Sequence, residues 1–170
     1  MPPGAFPTIA ERPPRPKSPT GSLLLIGGAA LYIIAAYQPW YRRDGETLNG
    51  MDTFVTDLGS DTFDRPGTAW VVFGVIVGGL GIATFFAGRQ LALAIVTLCF
   101  TVLSALVSLI GVGVVDDQRR FDDFSESSHA GHAGIGVVLG IIAMLIALAG
   151  AIVVLAKRRR PPVAPPPGAW

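Results

Sequence analysis

Residues 133–156 read AGIGVVLGIIAMLIALAGAIVVLA, and this stretch decides the fold. A helix needs roughly 20 apolar residues to cross a hydrocarbon layer of about 30 Å. The stretch meets that length and contains no Asp, Glu, Lys, Arg or His. Three further runs share both properties, and they span residues 22–38, 68–88 and 91–115. The sequence therefore predicts four transmembrane helices.

Composition favours the same fold class. Charged residues make up 15% of the 170-residue chain and hydrophobic residues 51%, whereas a soluble domain usually carries about a quarter charged residues. The formal net charge of +1 gives no electrostatic footprint for nucleic acid. Cys99 is the one cysteine, so no disulfide can form within the chain.

The flanking charges predict an orientation. Basic residues collect on the cytoplasmic side of membrane helices, and four of them follow the last run, at Lys157, Arg158, Arg159 and Arg160. We therefore expect a multi-pass protein of the plasma membrane with both termini in the cytoplasm. Aromatic side chains near the opposite helix ends are predicted to anchor the outer interface, and they are Tyr37, Trp40, Tyr41 and Trp70.

The segments outside the apolar runs differ in character. Residues 1–21 and 157–170 are rich in proline and are predicted to be disordered cytoplasmic tails on either side of a 22–156 helical domain. Residues 39–67 and 116–132 form two outer loops. In the first loop, apolar residues at helical spacing predict a short amphipathic helix from Gly50 to Leu58, with Asn49 as its N-cap. The partners expected for Arg42 and Arg43 are Asp44, Glu46 or lipid phosphates.

The second loop carries both histidines of the chain. His129 and His132 could bind a metal together with Glu126, but glycines interrupt this segment and no third His or Cys completes a structural zinc site. We therefore expect no metal and no cofactor. Sensing of metal or pH by this histidine pair remains an alternative.

Small and hydroxylated residues recur at heptad spacing along three of the helices. Such residues line the interfaces between membrane helices, because they allow close backbone approach. The expected packing residues are Gly74, Gly78 and Gly81 in the second helix, Ala94, Thr97, Thr101, Ser104, Ser108 and Gly111 in the third, and Gly136, Gly140, Ala143, Ala147 and Gly150 in the fourth. The pattern predicts an all-α, antiparallel, left-handed four-helix bundle with a seam between the third and fourth helices.

A first run ending in PWY, a loop with NGMD and a last run ending in KRRRPP resemble small four-span actinobacterial membrane proteins of unknown function. The plan is also similar to that of tetraspan claudin-like proteins, but their cysteine pair and G-L-W motif are missing. The spans contain no ionisable group and the chain no catalytic motif. We therefore expect a non-enzymatic accessory, scaffold or interaction subunit of a membrane complex. A small oligomeric transporter or channel component is the alternative. The expected partners are the lipid bilayer, a membrane protein or a second copy of the chain, and not nucleic acid.

Overall fold

The computed structural model describes residues 19–43, 45–56, 61–87, 91–124 and 131–157. Four helices dominate it: α1 (Thr20–Tyr37), α2 (Gly67–Ala87), α3 (Leu91–Phe124) and α4 (Ile135–Ala156). The predicted disorder of the two tails concerns segments that lie almost wholly outside the described residues.

All four helices are long and apolar enough to cross a membrane, which confirms that part of the prediction. They contain 18, 21, 34 and 22 residues. At a rise of 1.5 Å per residue, even α1 is about 27 Å long. Helix α3 continues nine residues beyond its predicted end at Val115. Asp116 and Arg120 form an ion pair within this polar segment, and Asp122 contacts Tyr41 and Arg43.

The helices pack as a bundle in which α1 and α3 each contact both α2 and α4. The hydroxyls of Ser22 at the start of α1 and Thr84 near the end of α2 lie 3.0 Å apart. The start of α1 also meets the end of α4, because a Cβ atom on Gly21 would lie 2.7 Å from Val154 Cγ2. Helix α1 is therefore antiparallel to both neighbours.

The small residues of α4 pack mainly against α1, which differs from the predicted seam with α3. A Cβ atom on Gly28 in α1 would lie 2.9 Å from the Cβ of Ala147, and one on Gly150 would lie 2.8 Å from the carbonyl oxygen of Gly21. The backbones of α1 and α4 thus approach closely. Periodicity identifies a small-residue face, but it does not say which helix lies opposite.

Within the described ranges, five short strands form a layer at one end of the bundle, so the fold is not all-α. They are β1 (Pro39–Arg43), β2 (Glu46–Asn49), β3 (Thr53–Thr56), β4 (Asp61–Asp64) and β5 (His132–Ala133). One sheet has the order β2-β1-β5, and β3 and β4 form a second, antiparallel pair. Backbone hydrogen bonds join the layer to the bundle, from Gly50 N to the carbonyl oxygen of Ala36 and from Gly134 N to that of Trp40.

The short helix predicted from Gly50 to Leu58 is wrong, because β3 occupies residues 53–56. Asn49 and Asp52 do exchange hydrogen bonds: Asn49 N donates to Asp52 Oδ2 over 2.7 Å, and Asp52 N donates to the carbonyl oxygen of Asn49 over 3.1 Å. Met51 N also donates to Asn49 Oδ1 over 2.7 Å. They form a turn rather than a helix cap. The segment that follows, TFVT, is rich in β-branched residues, which favour extended backbone.

Candidate functional site: the aromatic stack and the Asp122 clamp

Four aromatic rings meet where the bundle joins the strand layer, and we call them the aromatic stack: Tyr32, Trp40, Phe54 and Trp70. Tyr32 and Trp70 are stacked, with ring centroids 4.8 Å apart and planes 12° apart. Trp40 lies 4.3 Å from Trp70 and 6.1 Å from Phe54. Such ring pairs contribute about 0.5–1.5 kcal/mol each beyond the burial of their area. The stack therefore fixes the first loop onto the bundle.

Three of the four aromatic residues predicted as anchors of the outer interface, Trp40, Tyr41 and Trp70, are buried within the protein. Both indole rings are fully buried and Tyr41 is almost so, whereas Tyr37 is exposed. Trp40 Nε1 donates to the carbonyl oxygen of Ala35 over 2.9 Å. Within the described part of the chain, Trp70 Nε1 has no hydrogen-bond partner.

Three glycines leave room for the indole rings. A Cβ atom on Gly136 would lie 2.6 Å from Trp40 Cδ1, and one on Gly111 would lie 2.9 Å from Trp70 Cζ2. At Gly140 a Cβ atom would overlap with the ring of Trp70. Two of these glycines belong to the stripe on α4 and one to the stripe on α3, so the sequence pattern finds them without showing what they face.

The predicted stripe on α3 contains four buried hydroxyl residues, which we call the hydroxyl row: Thr97, Thr101, Ser104 and Ser108. Each hydroxyl donates to the carbonyl oxygen four residues earlier in its own helix, over 2.7–2.9 Å. Tyr32 Oη lies 2.7 Å from Ser108 Oγ and links α1 to the row. A cavity of about 10 Å³ lies beside Tyr32, Thr101 and Ser104, and a volume of this size holds one water at most.

Ser104→Ala is expected to reduce the free energy of unfolding by less than about 1 kcal/mol. Hydrogen bonds in membrane helices average about 0.6 kcal/mol in measured cycles, and this one is internal to α3. Detergent-unfolding midpoints of the purified protein measure the effect. Ser108→Ala is the matched comparison and should cost more, because it also removes the closer of the two hydrogen-bond partners of Tyr32 Oη, the other being the carbonyl oxygen of Ser104. A larger loss for Ser104→Ala would contradict this order.

The second cluster joins the strand layer to the extended end of α3, and we call it the Asp122 clamp: Tyr41, Arg43, Gln118 and Asp122. Asp122 is 3% exposed. Tyr41 Oη donates to its Oδ2 atom, and Arg43 Nη1 lies 2.7 Å from its Oδ1 atom. Gln118 Nε2 donates to the same Oδ1 atom over 3.3 Å. One buried carboxylate thus holds two side chains of β1.

Burial, together with the hydrogen bond to Asp122, raises the pKa of Tyr41 well above its ordinary value. The phenol therefore remains a donor at neutral pH. Gly131 leaves room for the phenol of Tyr41, because a Cβ atom at that position would collide with it. The arginine partners expected from the sequence, Asp44, Glu46 or lipid phosphates, did not include Asp122. No local pattern connects residues 43 and 122.

The remaining predicted packing residues lie on the inner sides of their helices or close to neighbours. A Cβ atom on Gly74 would lie 2.6 Å from Ile33, one on Gly81 3.0 Å from Leu25, and one on Gly78 3.3 Å from Ala29. Ala94, Ala143 and Ala147 are buried. Lys157 follows α4, whereas Arg158, Arg159 and Arg160 lie outside the described residues.

Of the three predicted metal candidates, only His132 lies within the described residues. His132 lies on β5, is exposed, and is paired in register with Arg42. Glu126 and His129 fall outside the described part. Among the residues that the structure does describe, no group of three His, Cys, Asp or Glu side chains could hold a metal ion.

A family model described as the MiaB C-terminal domain matches residues 18–164, which include all four helices and the strand layer. No curated protein matches the chain. No solved structure matches it either.

This match corrects several predictions. The resemblance to four-span actinobacterial proteins of unknown function is wrong, because the matching family is a different one. MiaB-type proteins are radical SAM enzymes that modify tRNA, so the interpretation as a non-enzymatic accessory or scaffold subunit, with a transporter or sensor as the alternative, is wrong as well. The predicted placement as a multi-pass protein of the plasma membrane conflicts with the same family and is withdrawn.

The match covers far more than half of the sequence and includes the aromatic stack, the hydroxyl row and the Asp122 clamp. The chain belongs to the MiaB C-terminal domain family.

Proposed function

We propose that this chain takes part in tRNA modification of the MiaB type, as the C-terminal domain of that system. The family match over residues 18–164 carries the proposal. MiaB-type proteins are radical SAM methylthiotransferases, so the modification in question is the transfer of a methylthio group to tRNA.

The donor set of the chain does not fit the iron–sulfur cluster that radical SAM chemistry uses. Such clusters are held by several cysteine thiolates. This sequence has one cysteine, Cys99, and its side chain is exposed on α3. We therefore assign no step of the radical reaction to these residues. The part of the system that holds the cluster lies in other residues.

The proposed role of the domain is to support that catalytic part. The aromatic stack and the Asp122 clamp fasten the strand layer to the bundle, so the layer offers a rigid surface beside the polar end of α3. The net charge of +1 provides little attraction for phosphate. We therefore assign contact with tRNA to the catalytic part, and contact with another protein or a second copy of the chain to this domain.

Removal of the chain from its cells should lower the methylthio-modified nucleosides of tRNA, measured by mass spectrometry of digested tRNA. Return of the wild-type chain should restore them. Cys99→Ser should restore them equally well, because one exposed thiol cannot hold a cluster. Unchanged nucleosides after removal would refute the proposed function. Failure of Cys99→Ser, with normal amounts of protein, would show that the thiol takes part.

A further inference from the structure

The outer surface of the helix bundle is apolar on all four helices. Large aliphatic side chains point away from the bundle on each of them, and more than half of the surface is exposed at Ile34 in α1, Val75 in α2, Leu109 in α3 and Leu145 in α4. A water-soluble monomer seldom exposes a continuous apolar patch larger than a few hundred Å². Something other than water therefore covers this surface.

The interior of the bundle shows the reverse pattern. Glycine, alanine and hydroxyl residues are buried between the helices, including the whole hydroxyl row, while leucine, isoleucine and valine dominate the outside. Burial of large apolar side chains drives the folding of a protein in water. In lipid that driving force between helices is absent, and small residues with internally satisfied hydroxyls form the contacts. The bundle follows the second pattern.

The dimensions of the bundle also fit a lipid environment. Helices α1, α2 and α4 contain no Asp, Glu, Lys or Arg, and neither do residues 91–115 of α3. Their lengths, about 27 Å or more, match a hydrocarbon layer of about 30 Å. Asp116, Arg120 and the Asp122 clamp lie beyond that apolar part of α3, at the end where the strands lie. The polar groups are thus collected where an apolar layer would end.

We propose that lipid acyl chains cover the outer surface of the bundle. A second copy or a protein partner would cover one side, whereas the exposed aliphatic side chains occur on all four helices. The inference depends on the distribution of side chains and not on the proposed function.

Arginine substitutions test the inference. Val75 and Leu145 lie near the middle of α2 and α4. Arginine at the centre of a membrane helix costs about 2.5–3.5 kcal/mol, which lowers the partition of that helix into lipid roughly 100-fold. The full chain would be synthesised with phosphatidylcholine–phosphatidylglycerol vesicles, and the fraction that floats with the vesicles after an alkaline wash would be measured.

The wild-type chain should float. Val75→Arg and Leu145→Arg should each lower the floating fraction, because one of the four helices then partitions poorly into lipid. Thr47→Arg should float like the wild type, because Thr47 is exposed on β2 in the strand layer. A wild-type chain that remained monomeric in buffer without lipid or detergent would overturn the inference. So would a soluble oligomer that Val75→Arg dissociates, since a second copy would then be the cover. Flotation does not report tRNA modification, so the two proposals can fail separately.

Discussion

Gly140→Leu is expected to destabilise the protein by at least about 3 kcal/mol, the upper end of the range for overpacking a filled core. The Cβ atom of any larger residue at this position would already overlap with the ring of Trp70. That ring cannot move aside easily, because it is fully buried, stacked on Tyr32 and in tilted contact with Trp40. Detergent-unfolding midpoints and tryptophan fluorescence of the purified protein measure the result, since displaced indoles change their emission.

Gly79→Ala and Gly113→Ala are the matched controls for Gly140. Both glycines lie within helices, and a Cβ atom at either position meets no other atom within 4 Å. Alanine there should be neutral or stabilise by up to about 1 kcal/mol, because it favours the helix over the unfolded chain. A Gly140→Leu variant with the midpoint and fluorescence of the wild type would show that Trp70 does not pack against α4.

The four helices could be predicted from the sequence because length and the absence of charge determine them locally. Residues 68–88 and 133–156 are each long enough to be identified alone, and the helices found there begin and end within two residues of the predicted limits. The end of α3 could not be placed in the same way. Its last turns, residues 116–124, are polar, and their helical form depends on contacts with β1 far away in the sequence.

The strand layer and the aromatic stack depend on tertiary contacts that no local pattern shows. Strand β5 has two residues, and its partner β1 lies about 90 positions earlier. Trp40 follows the first apolar run and Trp70 lies at the start of the second, positions that are typical of interfacial anchors. In the structure their rings contact one another in the interior. Both roles use the same amphipathic ring. Family membership is also not visible in the charge pattern or the periodicity, because neither records ancestry.

Asp122→Ala is the second change with a large expected effect, a loss of about 2–3 kcal/mol. Removal of one partner of a buried ion pair typically costs 3–5 kcal/mol, and the value is set lower here because the side chain of Arg43 is 29% exposed and regains some hydration. The loss also leaves the hydroxyl of Tyr41 without its acceptor. Unfolding midpoints measure the total loss of unfolding free energy, and hydrogen exchange of the backbone amides shows which segments are destabilised. Faster exchange should appear in β1 and at the end of α3.

Asp116 provides the control on the same helix. Its carboxylate lies 2.9 Å from Arg120 Nη2, one helical turn away, and both side chains are well exposed. Exposed pairs of this kind contribute about 0.3–0.5 kcal/mol, so Asp116→Ala should have little effect. The two variants remove the same charge from the same helix and differ in what the carboxylate holds. Equal losses would mean that net charge governs stability at this end of α3. A large loss confined to Asp122→Ala would show that the contact between α3 and β1 provides the stability. The double variant Asp122→Ala/Tyr41→Phe should then be little less stable than Asp122→Ala alone, because both changes break the same clamp.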